Sequence, residues 1–461
     1  MVSINNTAEK LASLKKSQTF RDIFFMYVTI YICYGIIPVI TDNLAYISID
    51  YNEIGIIISV NFIVQTFSIL FFGYYSEKLS KRFGRKKVFF ITNLITFISY
   101  GLISMVQNFY QFLVLIMISA FFIGAFIPIG FSIISDMYPP HDRGKRYGLM
   151  SFGLVLGSGG GVLFATFIDL LLPSSISWRW AYVLGCLLGI WPTLTYGIRD
   201  IDPVRGESEP EFEDFDGIIE YDYKVSLKTM KNIFSKKTVL GILIYVLFSS
   251  ITFSALGNWA ITYWRDYKIG PVIANPELLA IVIYMIAGLG AIPGNLIGGK
   301  LGDKFYKKGK KRGRVYVILM GMIPGIFILL AFYLMPFPSN TLGEIIGYSI
   351  LFIIIGFIGY MLTAFPPSNN YAMLSEVCII EERSSANSYY GIMANIAAVF
   401  GNPLFTFLLL NSGYLFAMVV IFLFSIFGNC IWILPFIYYP KEAKKCRELI
   451  ARKRKNLENA H

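Results

Sequence analysis

The chain has 461 residues, of which 56% are hydrophobic and 15% charged, with a mean hydropathy of +0.60; a soluble domain carries roughly 25% charged residues. The net charge of +11 does not point to nucleic acid, because Lys and Arg lie in short stretches between apolar runs and not on one domain face. Five scattered cysteines support neither a disulfide frame nor a zinc site, and the polar start, Met1 to Arg21, has no apolar core of signal-peptide type.

A bilayer core takes about 20 apolar residues per helix. On that basis the chain predicts spans at 23–41, 54–75, 88–107, 110–135, 147–172 and 180–198, then at 239–264, 277–298, 315–335, 343–375, 386–411 and 414–438. The expected organisation is a cytoplasmic tail (1–22), a six-helix bundle (23–198), a linker (199–238), a second six-helix bundle (239–438) and a basic tail (439–461). Nearly all Lys and Arg fall in alternate loops, 76–87, 141–146, 199–237, 300–314 and 376–384, and in the two tails. That alternation predicts both termini in the cytoplasm, with the plasma membrane as the expected location.

Within the linker an acidic block holds Glu207, Glu209, Glu211, Glu213, Asp214 and Asp216, and the stretch Val225 to Phe234 places Leu227, Met230 and Phe234 at helical spacing between lysines. The second pattern predicts an amphipathic helix on the inner membrane surface, or equally a soluble linker helix. The tail from Lys441 to Lys455 is basic enough to lie near anionic lipid or to serve as an orientation signal.

Two motif pairs recur about half a chain apart. Gly73-x-x-x-Glu77-Lys78 follows the second span and Gly299-x-x-x-Asp303-Lys304 the eighth, each trailed by a basic run. Ser135-Asp136 with Arg143 ends the fourth span, and Ser375-Glu376 with Arg383 ends the tenth at the same spacing. Repeated motifs at equivalent loops indicate a duplicated membrane protein.

These motifs, with Trp178-Arg179-Trp180 entering the sixth span, resemble the major facilitator superfamily over essentially the whole chain. The resemblance implies an all-α membrane fold of 12 transmembrane helices in two pseudo-symmetric six-helix bundles, working by alternating access. It also implies a cytoplasmic gate of Glu77, Lys78, Arg85, Asp136, Arg143, Asp303, Lys304, Glu376 and Arg383. Glu77 and Asp303 would hold that side closed, with Arg383 and Arg143 as partners, since a partly buried pair is worth more than an exposed one. The bland alternative is that these charges only fix topology. One departure is an insertion within Ser80 to Phe83, which separates Glu77-Lys78 from Gly84-Arg85-Lys86.

Within the superfamily the likeness is greatest to the Spinster-like lipid and lysolipid carriers, carried by Asp136 to Arg146, Gly157 to Gly161, Pro203 to Gly206, Leu256 to Ala260 and Arg383 to Ala386. The members of that group share an acid in the first span and an Arg and a Glu in the fourth. Here Phe24 to Ile40 has no acid and Tyr110 to Ile134 no charge, which puts proton coupling through those sites in doubt.

Ionisable residues inside a membrane usually mark an ion site, and this chain has almost none. Asp169, Arg179, Arg265, Glu277 and Glu344 sit at span ends. The deep polar groups are neutral. Asn61, Gln65, Ser254, Asn258, Trp259, Ser368, Asn369, Asn370 and Asn395 are the expected substrate contacts, although each also suits a helix–helix hydrogen bond. Pro366-Pro367 frees backbone carbonyls, which suits a cavity wall. Glycines at 153, 157 and 159–161 allow close helix approach.

The expected function is a secondary active or facilitative transporter, a monomer, for an amphiphilic or lipid-like small molecule in contact with membrane lipids. A drug, sugar or metabolite carrier is the nearest alternative, and a non-transporting sensor the alternative of another class. Neither an enzyme nor a cofactor is expected. The histidines are His141 and His461 alone, and no phosphate-cradling Gly-x-x-x-x-Gly-Lys-Ser/Thr run exists.

Overall fold

A computed structural model describes residues 2–40, 42–49, 51–212, 227–271, 273, 276–337 and 341–458. Sixteen helices are described: α1 Val2–Ile40, α2 Tyr51–Phe83, α3 Arg85–Ile103, α4 Phe109–Ile123, α5 Phe131–Met137, α6 Pro140–Leu171, α7 Ser174–Arg199, α8 Leu227–Ser235, α9 Lys237–Thr262, α10 Glu277–Gly288, α11 Ala291–Lys307, α12 Gly313–Leu334, α13 Leu342–Thr363, α14 Pro366–Val377, α15 Arg383–Cys430 and α16 Ile433–Glu458. No strand is present among the described residues.

Eleven described segments are long and apolar enough to cross a membrane. The last, Ile380–Lys455, is 76 residues long, roughly 110 Å of helix at 1.5 Å per residue against a hydrocarbon core of about 30 Å. It therefore crosses more than once. α15 breaks at Gly413, whose φ of 81° favours glycine, and the crossings fall on either side, making twelve.

Several spans bend where the sequence removes a hydrogen-bond donor. Pro128 lies in a π turn at Phe126–Gly130 between α4 and α5, and Pro366-Pro367 starts α14 after the break at Ala364, because proline has no backbone N–H to continue the ladder. In α6 the glycine stripe meets α1. A Cβ on Gly157 would press on the Val28 carbonyl, and one on Gly161 would overlap the Ile32 carbonyl. Gly159 and Gly160 face open space.

The polar N-terminal stretch is helical from Val2 and continuous with the first span. The basic tail is likewise drawn into α16, where Cys446 and Ile450 are buried. In the linker, Glu213, Asp214 and Asp216 lie outside the described residues, as do the side chains of Leu227 and Met230. α8 packs through Ile233, fully buried beside Val239 and Ile242, and the Phe234 ring meets that of Tyr389 at 4.7 Å.

Candidate functional site

The basic loops gather at one end of the bundle, and there two clusters of buried charge repeat. Both begin at a Gly-Arg pair that opens a helix. Arg85 starts α3, and its guanidinium reaches Asp136 at the end of α5 at 2.5 Å. It also donates to Asp202 at 3.1 Å and to the Pro203 carbonyl at 2.6 Å. Arg314 opens α12 in the other half. It pairs with Glu376 at the end of α14 at 2.8 Å and with Asp303 at 3.0 Å, and it donates to the Pro140 carbonyl of the first half at 2.7 Å. Both arginines are buried, so neither charge is tolerable there without these partners.

Arg143 and Arg383 also repeat. Each donates to the carbonyl eight residues earlier, Ser135 and Ser375 respectively, and both then converge on one carboxylate, that of Glu209 in the linker. Arg143 donates to it directly, and Arg383 lies 2.6 Å from the same oxygen. Arg383 also stands 3.8 Å from Asp136. One linker glutamate thus ties an arginine of each half. Burial opposes charge on Glu209, but the two guanidinium groups outweigh it and hold the carboxyl below its ordinary range.

Asp303 is not held by Arg143 or Arg383, as the motif spacing suggests. Besides Arg314, it accepts from the backbone N–H groups of Gly144 at 3.0 Å and Lys145 at 2.6 Å, in the second turn of α6. Hydrogen bonds from N–H groups to an ionised carboxylate are among the stronger ones. This contact crosses between the halves. It is possible because Gly144 and Gly299 are in backbone contact: a Cβ on Gly299 would overlap the Gly144 carbonyl.

The second seam, α2 against α15, uses hydroxyls. Ser76 and Ser384 share a hydrogen bond at 2.9 Å, and Ser385 donates to the Gly73 carbonyl at 2.9 Å. The Glu77 side chain lies outside the described residues. Lys78 and Lys304 are exposed.

Among the described residues, the polar contacts and close backbone approaches that join the halves all cluster at this basic end. The farthest from it are Gly148 beside the Asn295 carbonyl and Asn395 donating to Gln65 and Thr66, each at 3.4 Å. Beyond that level lies the neutral polar wall. Asn258 donates to Asn402 at 3.0 Å, and Asn402 donates to Ser254 at 3.0 Å, while the Trp259 ring meets Phe405 at 5.7 Å. Asn258 is exposed, and a Cβ on neighbouring Gly257 would touch nothing within 4 Å. Asn61 and Gln65 sit nearby in α2 but are buried.

Ser368, Asn369 and Asn370 are placed differently from the expectation of a cavity wall. All three are fully buried in α14. Asn369 donates to the Gly298 and Phe365 carbonyls and accepts from Arg314 at 3.5 Å. With its amide engaged on both sides of the α11–α14 contact, this cluster belongs to the basic end.

Reading the sequence missed Arg314, Tyr439 and the bridging role of Glu209. Arg314 had a signal: Gly313-Arg314 repeats Gly84-Arg85 at the same place in the second half. Tyr439 in α16 donates to Glu376, which no periodicity announces.

Residues 23–375 match the family model described as Major Facilitator Superfamily. Multidrug resistance protein 3 of Bacillus subtilis (strain 168) is 35% identical over 113 residues, 24% of this chain and 21% of that protein. The uncharacterized transporter YybO of the same organism is 25% identical over 403 residues, 84% of each chain. Among solved structures, the proton:xylose symporter XylE bound to 6-bromo-6-deoxy-D-glucose superposes with a TM-score of 0.66 at 15% identity, covering 93% of this chain and 96% of its own.

Proposed function

The chain belongs to the major facilitator superfamily, and on that premise we propose that it carries a neutral or weakly polar amphiphile by alternating access, with the basic end cytoplasmic. The fold and family are those of transmembrane transporters; the substrate class is our inference from the site. The observation that carries it is the wall of Ser254, Asn258, Trp259 and Asn402, lying beyond the closed basic end in spans whose interiors hold no Asp, Glu, Lys or Arg. A substrate held by full charge would need an ionised partner at that depth. Amides and an indole flanked by Phe and Ile suit a polar head and an apolar body. Kinship with the Spinster-like lipid carriers belongs to the same proposal and rests on the stretches named above. The partial likeness to a multidrug resistance protein is compatible with it.

On this reading the charged clusters are the cytoplasmic gate and the structure is the outward-facing state. Without an ionisable group in the span interiors, flux should be facilitative. The test is uptake into proteoliposomes of a fluorescent lysophospholipid beside a radiolabelled hexose, with and without a protonophore. The expected result is lysophospholipid flux that the protonophore leaves unchanged. It should fall about tenfold in Asn258→Ala/Asn402→Ala, one or two lost hydrogen bonds in a binding site, with an unchanged melting temperature. Hexose flux without lysophospholipid flux, or full activity in the double variant, overturns the proposal.

A further inference from the structure

Three cavities at the basic end differ in their charge. One contains Asp142 and Asp303 among its lysines, and there Lys307 pairs with Asp142 at 3.0 Å. A second contains Glu382 and Glu442, with Lys236 bonded to Glu382. The third, about 480 Å³ between the α11–α12 loop and α16, is lined by Lys310, Lys311, Lys441, Lys444 and Arg447 and by no acid. Among the described residues, Lys444 alone of these has a carboxylate within ion-pair distance, Glu448 at 3.8 Å. Cations gathered from two distant parts of the chain repel one another unless an anion joins them.

The walls fit such an anion. Tyr306 lines the groove, its hydroxyl has no hydrogen-bond partner among the described residues, and Arg447 lies over the Tyr306 ring at 5.4 Å. A neighbouring recess shares Lys310 and Lys311 and runs on to Tyr316 and Met320. Those two continue with Ile323 and Phe327 as an exposed apolar stripe down α12, the face a membrane protein turns to acyl chains.

We propose that this groove binds the phosphate of an anionic phospholipid headgroup, with an acyl chain laid along the α12 stripe. The same chemistry would accept a free phosphate, so the two sources must be separated. The site also reaches the gate. Tyr439 lines the groove and donates to Glu376, the partner of Arg314. An occupant that fixes α16 against the loop therefore favours the closed basic end.

The test compares lipid retention by the full-length protein in detergent, measured by native mass spectrometry with phosphatidylglycerol against phosphatidylcholine. The groove variant is Lys310→Gln/Lys311→Gln/Lys441→Gln. The control is Lys81→Gln/Arg82→Gln/Lys87→Gln, three exposed cations of the first half that pair with no acid among the described residues. The groove variant should lose preference for phosphatidylglycerol by at least about tenfold and the control by less than about twofold. Lys→Arg at the same three positions should retain it. Inorganic phosphate that stabilises the parent through these lysines, without lipid preference, would keep the phosphate site and name free phosphate as its occupant. Equal loss in both Gln variants, or loss in neither, overturns the proposal, since the attraction would then be diffuse or absent.

Discussion

Arg85 and Arg314 open equivalent helices in the two halves and hold equivalent acids, yet they are completed in different ways. Arg85 takes Asp202 and the Pro203 carbonyl from the linker. Arg314 takes Asp303 and, across the seam, the Pro140 carbonyl. The contacts of Arg85 itself therefore tie the linker to its own half, and those of Arg314 tie one half to the other. A duplicated motif does not imply a duplicated job, because the partners that complete a buried charge come from whatever chain lies nearby. Here the linker lies beside one copy and the opposite bundle beside the other.

The largest effect is expected from removing Arg314. Arg314→Gln leaves Asp303 and Glu376 both buried without a cation, which costs about 3–5 kcal/mol in the closed state. Thermal unfolding of the purified protein should show a clear loss of stability, and cysteine labelling at the basic end should show that end opened. Arg85→Gln should cost less, about 1–3 kcal/mol. Asp136 would still accept from the Gly206 N–H at 3.2 Å and face Arg383, and Asp202 is partly solvated. That variant should loosen the linker, read as faster proteolysis within it, without opening the seam. Equal labelling in both variants would break the comparison.

Much of this was legible in the sequence because the signals are strong ones. Twelve apolar runs, the alternation of basic loops and the Gly-x-x-x-acid motifs point to the number of crossings and to the end where the buried charges gather. What was not legible depends on which of several nearby groups reaches a charge first. Arg143 and Arg383 were matched to acids in the facing motif, but the linker carries Glu209 into the space between them, and linker geometry has no periodicity to read. Asp303 was expected to seek a guanidinium alone, yet two backbone N–H groups in the second turn of α6 also bind it. Ser368 to Asn370 look like a polar lining in a linear reading, and their burial is decided by which face α14 presents.

A smaller effect separates the two seams. Asp303→Asn keeps the side chain's shape but removes the charge that accepts from two α6 N–H groups and pairs with Arg314. Hydrogen bonds to a charged group contribute about 1.5–3 kcal/mol each, so the inward-facing fraction should rise severalfold in accessibility labelling. Ser384→Ala/Ser385→Ala in the α2–α15 seam removes two neutral hydrogen bonds, about 0.5–1.5 kcal/mol each, with no charge exposed. If the serine variant opens the basic end as far as Asp303→Asn, the ionic contact is not what distinguishes the seams.

The smallest effect concerns pH, and it sets the two ends of the described linker stretch against each other. Asp200 is buried at the end of α7 and its carboxyl oxygens have no hydrogen-bond partner among the described residues. Burial, with Asp22 nearby, pushes its carboxyl up to about 7, against the opposing pull of Lys86 and Arg21. A raised folded-state value means the protonated form suits the fold, so this group's contribution is intact at acid pH and erodes as pH rises toward and through 7. Asp200→Asn should therefore raise the melting temperature by about 1–2 °C at pH 8 and leave it unchanged at pH 4. Glu209 has the opposite sign. Its carboxyl is held low, so its bridge is present above the ordinary carboxylate range and is lost as pH falls below it. The bridge between the halves thus persists across neutral pH while the linker's attachment at Asp200 weakens. A gain from Asp200→Asn that is larger at pH 4 than at pH 8 would show that this carboxyl is paired in solution and not stranded.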